Sequence, residues 1–307
     1  MIYNAILGHI VGDVTGLPYE MCPRSYLKDM PFKGIDKKKK IRKHWRTGYW
    51  SDDTAMVLAT MQSIMDNKGI DYDKLMYEFY LWLAQGKYTQ EGQPIGYGGT
   101  TFNAVRRYSL GCDALKCGIN IDKCNGNGAL MRMLPIVFYL HKIDASEEEV
   151  EEITRNVTKL THAHEYNILG TYIFVKYCLN ILNGYTKEES YKMIRENDYT
   201  KYSKRAIKRY EKILKNDISK YKECEIKSGG SIWETLEAVL WCLLTSNSYR
   251  EVITKAINLG GDTDTIGAIA GGVAGILYKD IPKEWVNNII GFNKIKRTIK
   301  QFSKIMK

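Results

Sequence analysis

The chain has 307 residues, 44% hydrophobic and 26% charged, an ordinary globular composition that excludes intrinsic disorder. Lys and Arg outnumber Asp and Glu by 45 to 35, giving a net charge of +10; this suits anionic partners, but solvated lysine-rich helix faces are the better-supported account of it. The six prolines exclude long proline-rich linkers, and the longest nearly apolar run, residues 266–278, is too short to span a bilayer. Seven cysteines without a CxxC pair fit neither a disulfide framework nor a thiolate zinc site, and no basic segment precedes a greasy one at the N-terminus. A cytoplasmic protein with no membrane segment is expected.

Helical periodicity dominates. Gly12-Asp13 lies in a first helix-like segment, and Glu20 follows Pro18. The basic run at 37–43 resembles a nuclear-localisation or nucleic-acid segment, but a solvated loop that steers anions is the better-supported reading, so nucleic acid stays an unsupported partner. Beyond Asp52-Asp53, the residues Met56, Val57, Thr60, Met61 and Ile64 form one helical stripe. Leu75, Phe79 and Leu83 form the next, with Met76 and Tyr80 beside it. Ser146 before three glutamates is a capping residue with acids in the first turn. Residues 168–182 and 232–244 read as buried helices. The stretch 186–228 is rich in lysine and tyrosine; it is expected to pack as amphipathic helices outside the core, with an inserted lobe as the alternative. The tail at 294–307 reads as a terminal amphipathic helix docked on the body rather than on a membrane. Strand-like alternation is scarce. The spacing predicts an all-α fold; no domain boundary shows, so a single domain over 1–307 is expected, and a monomer is the default expectation.

Two acidic clusters stand far apart: Gly48-Tyr49-Trp50-Ser51-Asp52-Asp53-Thr54 and Gly260-Gly261-Asp262-Thr263-Asp264-Thr265. Each opens a helix-like segment, so Ser51, Asp52 and Asp262 could serve simply as caps. One cap needs one side chain, however, and each cluster offers two carboxylates with flanking hydroxyls. Such hard oxygen donors suit Mg²⁺, Mn²⁺ or Ca²⁺, and two clusters could hold two ions about 3.5–4 Å apart. Residue chemistry alone leaves ion site and separate caps evenly balanced.

Gly96-Tyr97-Gly98-Gly99-Thr100-Thr101 and the stretch from Asn125-Gly126-Asn127-Gly128 to Arg132 are glycine-rich loops before helices. Free backbone N–H groups there could cradle phosphate, although such loops are more often plain turns. His162 and His164 are two apart, do not share a helix face and are not expected to form a metal pair. Asp13 is expected to anchor the first helix. Arg132 has two equal readings, a phosphate contact or a brace against a carboxylate.

Taken in order, these segments resemble the ADP-ribosylglycohydrolase family, from residue 2 to about 278. The resemblance implies an all-α orthogonal multi-helix bundle with a central binuclear metal cleft holding two Mg²⁺ (or Mn²⁺). It implies Ser51, Asp52, Asp53, Asp262, Asp264 and Thr265 as metal ligands, with serine at 51 where the family usually has threonine. Glu20 would be the catalytic carboxylate beside the metals, accepting the attacking water's proton or assisting the leaving group. Gly98, Gly99, Thr100, Asn125, Gly126 and Asn127 would hold the ADP-ribose, with His162 on the substrate side. The implied activity is hydrolysis of the glycosidic bond between ADP-ribose and a modified acceptor, a protein side chain such as arginine or serine, with ADP-ribose as product. A carboxylate that recognises the acceptor is not located, and Glu91 is a poor candidate. Two other readings are a non-catalytic ADP-ribose-binding member of the fold and a binuclear nucleotide phosphohydrolase.

Overall fold

The computed structural model describes residues 1–35 and 47–307; the basic run at 37–43 lies outside the described residues. Among the described residues every regular element is helical, and the extended contacts are three isolated bridges. The fold is that of an all-α multi-helix bundle.

The helices follow the periodic stretches of the sequence. Asp52–Asn67 begins at Ser51, whose side chain accepts the Asp53 N–H, and ends at Lys68 in the left-handed conformation. Its stripe of Met56, Val57, Met61 and Ile64 is buried, each such side chain contributing about 1.5–3 kcal/mol relative to exposure. Tyr72–Gln85 packs beside it through Leu75, Phe79 and Trp82. Glu147–Lys159 opens with a full capping box between Ser146 and Glu149. Glu165–Leu182 and Ile232–Leu244 are buried on most faces.

In the 186–228 stretch, Lys187–Glu196, Lys204–Arg209 and Glu211–Leu214 are short helices. Tyr191, Ile194, Tyr202, Tyr210 and Ile213 turn inward and join the same buried cluster as the rest of the chain. The tail helix Phe292–Ile305 lies on the first helix and on Asp52–Asn67, burying Ile295, Ile299 and Phe302. Among the described residues no helix is long and apolar enough to cross a membrane.

The centre of the fold is the antiparallel pairing of the first helix, Ile2–Gly16, with Thr263–Leu277. Glycines let the two backbones nearly touch. A Cβ at Gly8 would lie 2.3 Å from the Gly271 carbonyl oxygen, and one at Gly12 2.0 Å from that of Gly267. One at Gly16 would lie 2.3 Å from the Thr263 oxygen. This contact sets the end of the first helix, with Asp13, against the start of the Thr263 helix, with its two aspartates.

The bridges fix the loops around that point. Cys22 pairs with Gly261, Ile119 with His162, and Gly126 with Ser231. Met21 N–H donates to the Gly261 oxygen at 2.6 Å, and Gly261 N–H returns to Cys22 at 2.9 Å. Ile119 N–H donates to the Thr161 oxygen at 2.9 Å, and Asn127 N–H to that of Gly230 at 3.1 Å. The polar backbone of these irregular loops is thus satisfied loop to loop.

Candidate active site

Both acidic clusters open onto one cleft of about 320 Å³. Asp52 and Asp53 line it from the start of one helix, and Asp262, Asp264 and Thr265 from the start of another. Glu20 stands on the wall, placed by the short 3₁₀ turn Leu17–Tyr19. No lysine or arginine lines the cleft among the described residues.

Asp13 lies beneath this floor. Its carboxylate accepts from Ser51 N–H at 3.1 Å, Ser51 Oγ at 2.9 Å, Thr54 N–H at 3.1 Å and Thr54 Oγ1 at 2.6 Å. It therefore ties the first helix to the start of Asp52–Asn67. Asp13, Asp53 and Asp264 also offer carboxylate oxygens that all lie within 4.8 Å of one another. The sequence singled out Asp53 and Asp264 as candidate ligands but gave Asp13 only the anchoring role.

Without a counter-charge this arrangement is electrostatically costly. Burial pushes the Asp13 carboxyl up to about 6. Asp52, Asp53 and Asp264 are held well above the ordinary carboxylate range, first by burial and then by one another and their acidic neighbours. Asp53 Oδ1 and Asp264 Oδ1 are buried without a hydrogen-bond partner among the described residues. Two orphaned anionic oxygens in a crowded acid cluster are what a hard divalent cation would satisfy, and its charge would reverse the upward shifts. The residues present fit such an ion.

The capping alternative divides between the two turns. Ser51 does cap its helix, while its hydroxyl also reaches Asp13 and Asp53 Oδ2, both at 2.9 Å. Asp262 occupies the cap position of Thr263–Leu277 without capping it. Its Oδ2 instead accepts the Asn127 side-chain amide at 2.7 Å. Gly260 and Gly261 both adopt positive φ, and a Cβ on Gly261 would lie 2.1 Å from the Ser228 carbonyl oxygen. That turn brings Asp262 and Asp264 to one cleft although they are two apart in sequence.

The glycine-rich loops contribute wall beside the aspartates: a Cβ at Gly96 would lie 2.9 Å from Asp52 Oδ1. Gly98, Thr100, Gly126, Asn127 and His162 line the cleft. Gly98 is the N-cap of Gly99–Ser109, and a Cβ at Gly98 or Gly99 would meet nothing within 4 Å. Three expected residues are not among the lining ones. Ser51 is buried beside Asp13, Gly99 sits at the helix start, and Asn125 bonds the Asp122 carbonyl at 2.5 Å.

Arg132 follows neither of its two readings. It is fully buried, has no carboxylate partner among the described residues, and donates to the Gly128 and Val157 carbonyl oxygens at 3.0 Å and to Thr161 Oγ1 at 2.9 Å. Its guanidinium sits 4.7 Å over the Phe79 ring, and burial brings its pKa down to about 9. His164 turns away from the cleft to Asp122, at 2.8 Å. Glu91 accepts from the Tyr49 hydroxyl and does not line the cleft.

Tyr97, Thr101, Gly128 and Met131, which the sequence offers only as members of the two glycine-rich stretches, also line the cleft, as does Gly230 from outside them. Tyr97 stacks on Phe102 with centroids 6.0 Å apart and planes 20° apart, and Trp82 meets it edge-on. Both stacked rings are exposed; Tyr97 lines the cleft, and Phe102 stacks on it from outside the lining. The signal for this pair was the aromatic on either side of Gly98-Gly99-Thr100-Thr101.

The ADP-ribosylglycohydrolase family model matches residues 2–306. An ADP-ribosylarginine hydrolase, Tri1, of Serratia proteamaculans (strain 568) is 26% identical, over 97% of this chain and 77% of its own. The ADP-ribosyl-[dinitrogen reductase] glycohydrolase of Rhodospirillum rubrum is 26% identical over 93% of this chain and 89% of its own. The ADP-ribosylhydrolase ARH3 of Mus musculus is 25% identical, over 95% and 88%. A solved ADP-ribosylglycohydrolase-related protein complex superposes with a TM-score of 0.79, at 23% identity, over 100% of this chain and 98% of that one, a likeness of fold. The chain belongs to the ADP-ribosylglycohydrolase family and is a hydrolase of ADP-ribose glycosidic bonds.

Proposed function

We propose that the protein removes ADP-ribose from a modified protein side chain, arginine first, in a reaction that depends on two Mg²⁺ or Mn²⁺ ions. The observation that carries this reading is the meeting of the Asp53 and Asp264 carboxylates at the floor of the cleft, each with an oxygen left without a partner among the described residues, and with Asp13 close beneath them. Arginine comes first because the Serratia relative is named for that acceptor. We read all seven cysteines, free in the structure, as fitting a reducing cytoplasm.

Asp52, Asp53, Asp262, Asp264, Thr265 and Ser51 are the proposed ligand set, with Asp13 holding Ser51 and Thr54 in place. Bound there, divalent ions would align ribose hydroxyl oxygens and make an attacking water more acidic. The scissile bond lies at C1 of the distal ribose, where cleavage develops positive charge on the ring. Glu20, on the wall, accepts a proton from the attacking water or assists departure of the acceptor. Asn127 holds Asp262 by its amide, so this loop positions both ligand and substrate. The N–H groups that open Gly99–Ser109 face the diphosphate, which no basic side chain on the described wall would neutralise. The Tyr97–Phe102 stack offers a face for the adenine.

The test is incubation with proteins and peptides ADP-ribosylated on arginine, on serine and on other acceptors, with products identified by mass spectrometry. Free ADP-ribose, lost with EDTA and restored by Mg²⁺ or Mn²⁺, is the expected result. Binding without turnover would support a non-catalytic ADP-ribose-binding protein, and AMP or phosphate a binuclear phosphohydrolase; either outcome would overturn the proposal.

A further inference from the structure

His162 lines the cleft beside Gly126 and Gly128, where a Cβ on Gly128 would lie 3.0 Å from its Cε1. Its Nδ1 faces inward, 2.7 Å from Thr161 Oγ1. Its Nε2 makes no hydrogen bond among the described residues. The direction of the Nδ1 contact follows from counting protons. Arg132 can only donate, and one of its N–H groups occupies Thr161 Oγ1 at 2.9 Å. The Thr161 hydroxyl is fully buried and has one proton to give, and His162 Nδ1 is the one acceptor it meets among the described residues. If Nδ1 carried a proton, two donors would point at Thr161 and the hydroxyl hydrogen would be stranded, which is costly for a buried polar group.

We propose that Arg132 and Thr161 are positioning residues that hold His162 as the neutral tautomer with its proton on Nε2, so that the cleft always meets a hydrogen-bond donor at that atom. Arg132 is suited to this because its other bonds go to the carbonyl oxygens of Gly128 and Val157. One planar group therefore sets the Gly128 loop, the Val157 turn and the histidine together. Burial and the nearby guanidinium, which bring His162 down to about 3, act in the same direction. That Nε2–H meets an acceptor oxygen of ADP-ribose rests on the function proposed above; the tautomer does not.

The test is a long-range ¹H–¹⁵N correlation spectrum of the Mg²⁺-loaded protein carrying ¹⁵N-histidine, at pH 7. His162 is assigned by its loss in His162→Asn, and ADP-ribose binding is followed by calorimetry on the same samples. The wild type is expected to show a protonated Nε2 and a bare Nδ1. Thr161→Val should move the proton to Nδ1 or mix the tautomers, and weaken ADP-ribose binding about tenfold. Thr161→Ser, which restores the hydroxyl, should recover both. A wild-type Nδ1–H or imidazolium would overturn the proposal, as would a Thr161→Val protein with the wild-type pattern. If circular dichroism shows that Thr161→Val is unfolded, the wild-type and Thr161→Ser spectra decide alone. A wild type that shows the Nε2–H tautomer but binds no ADP-ribose would sink the functional reading and leave this one standing.

Discussion

Gly12 and Gly267 meet so closely that a Cβ at position 12 would lie 2.0 Å from the Gly267 carbonyl oxygen. The obstacle is backbone, which cannot rotate away. Gly12→Ala should therefore destabilise the fold by about 3 kcal/mol, as overpacking of a tight interior does. Gly99→Ala, with nothing within 4 Å of the added atom, should leave stability unchanged. Urea denaturation of the two variants checks both expectations, and equal midpoints would contradict the close approach.

The acid cluster has an opposite-signed consequence. Burial and mutual repulsion disfavour the ionised carboxylates when no cation is present. Asp53→Asn should therefore raise the melting temperature in EDTA. The same substitution should abolish the stabilisation that Mg²⁺ gives the wild type, and cost turnover at least about a hundredfold. Differential scanning fluorimetry with and without Mg²⁺ separates the two effects. A variant that is less stable than wild type in EDTA would contradict the electrostatic argument.

His9 gives a prediction in pH. It is buried, its Nε2 lies 3.2 Å from the Asp53 carbonyl oxygen, and burial brings its pKa down from 6.5 to about 4. Between those values the unfolded chain carries the extra proton, so this group makes stability fall as pH drops from 6.5 toward 4. The slope is at most about 1.4 kcal/mol per pH unit. His9→Gln should lose less stability than the wild type over that window, as read from urea midpoints at half-unit steps. Parallel profiles would show that His9 is not buried in its neutral form.

The Tyr97–Phe102 pair predicts a ligand-dependent loss. Tyr97→Ala or Phe102→Ala removes one ring of the stack and should weaken ADP-ribose binding about tenfold. Ribose 5-phosphate, which has no base, should bind the variants and the wild type alike. Calorimetry with the two ligands checks this, and equal losses for both would place the base elsewhere.

What the sequence made legible was whatever is written locally. The stripe from Met56 to Ile64 specifies its helix and buried face without reference to the rest of the chain. Ser146 and Glu149 announce a helix start by their own reciprocal bonds. The acidic turns were conspicuous because each carries more oxygen donors than a cap needs. What was not legible depends on pairing between distant segments. Gly8, Gly12 and Gly16 recur at one helix turn, as do Gly267, Gly271 and Gly275, yet nothing local says that the two rows face each other. Asp13 could be read as an anchor, but its place in the carboxylate triad follows only from that glycine contact. Arg132 was misread because a buried arginine that bonds carbonyl oxygens and a threonine leaves no mark in the sequence around it.

The central claim is that the turns at Asp52-Asp53 and Asp262–Asp264 cage divalent cations between them. Crystals soaked in manganese and measured at its absorption edge test it directly. The account predicts anomalous peaks in the gap between Asp53 and Asp264, within coordination distance of their unpartnered Oδ1 atoms. A map that is featureless there, with the carboxylates in the positions described, would contradict it.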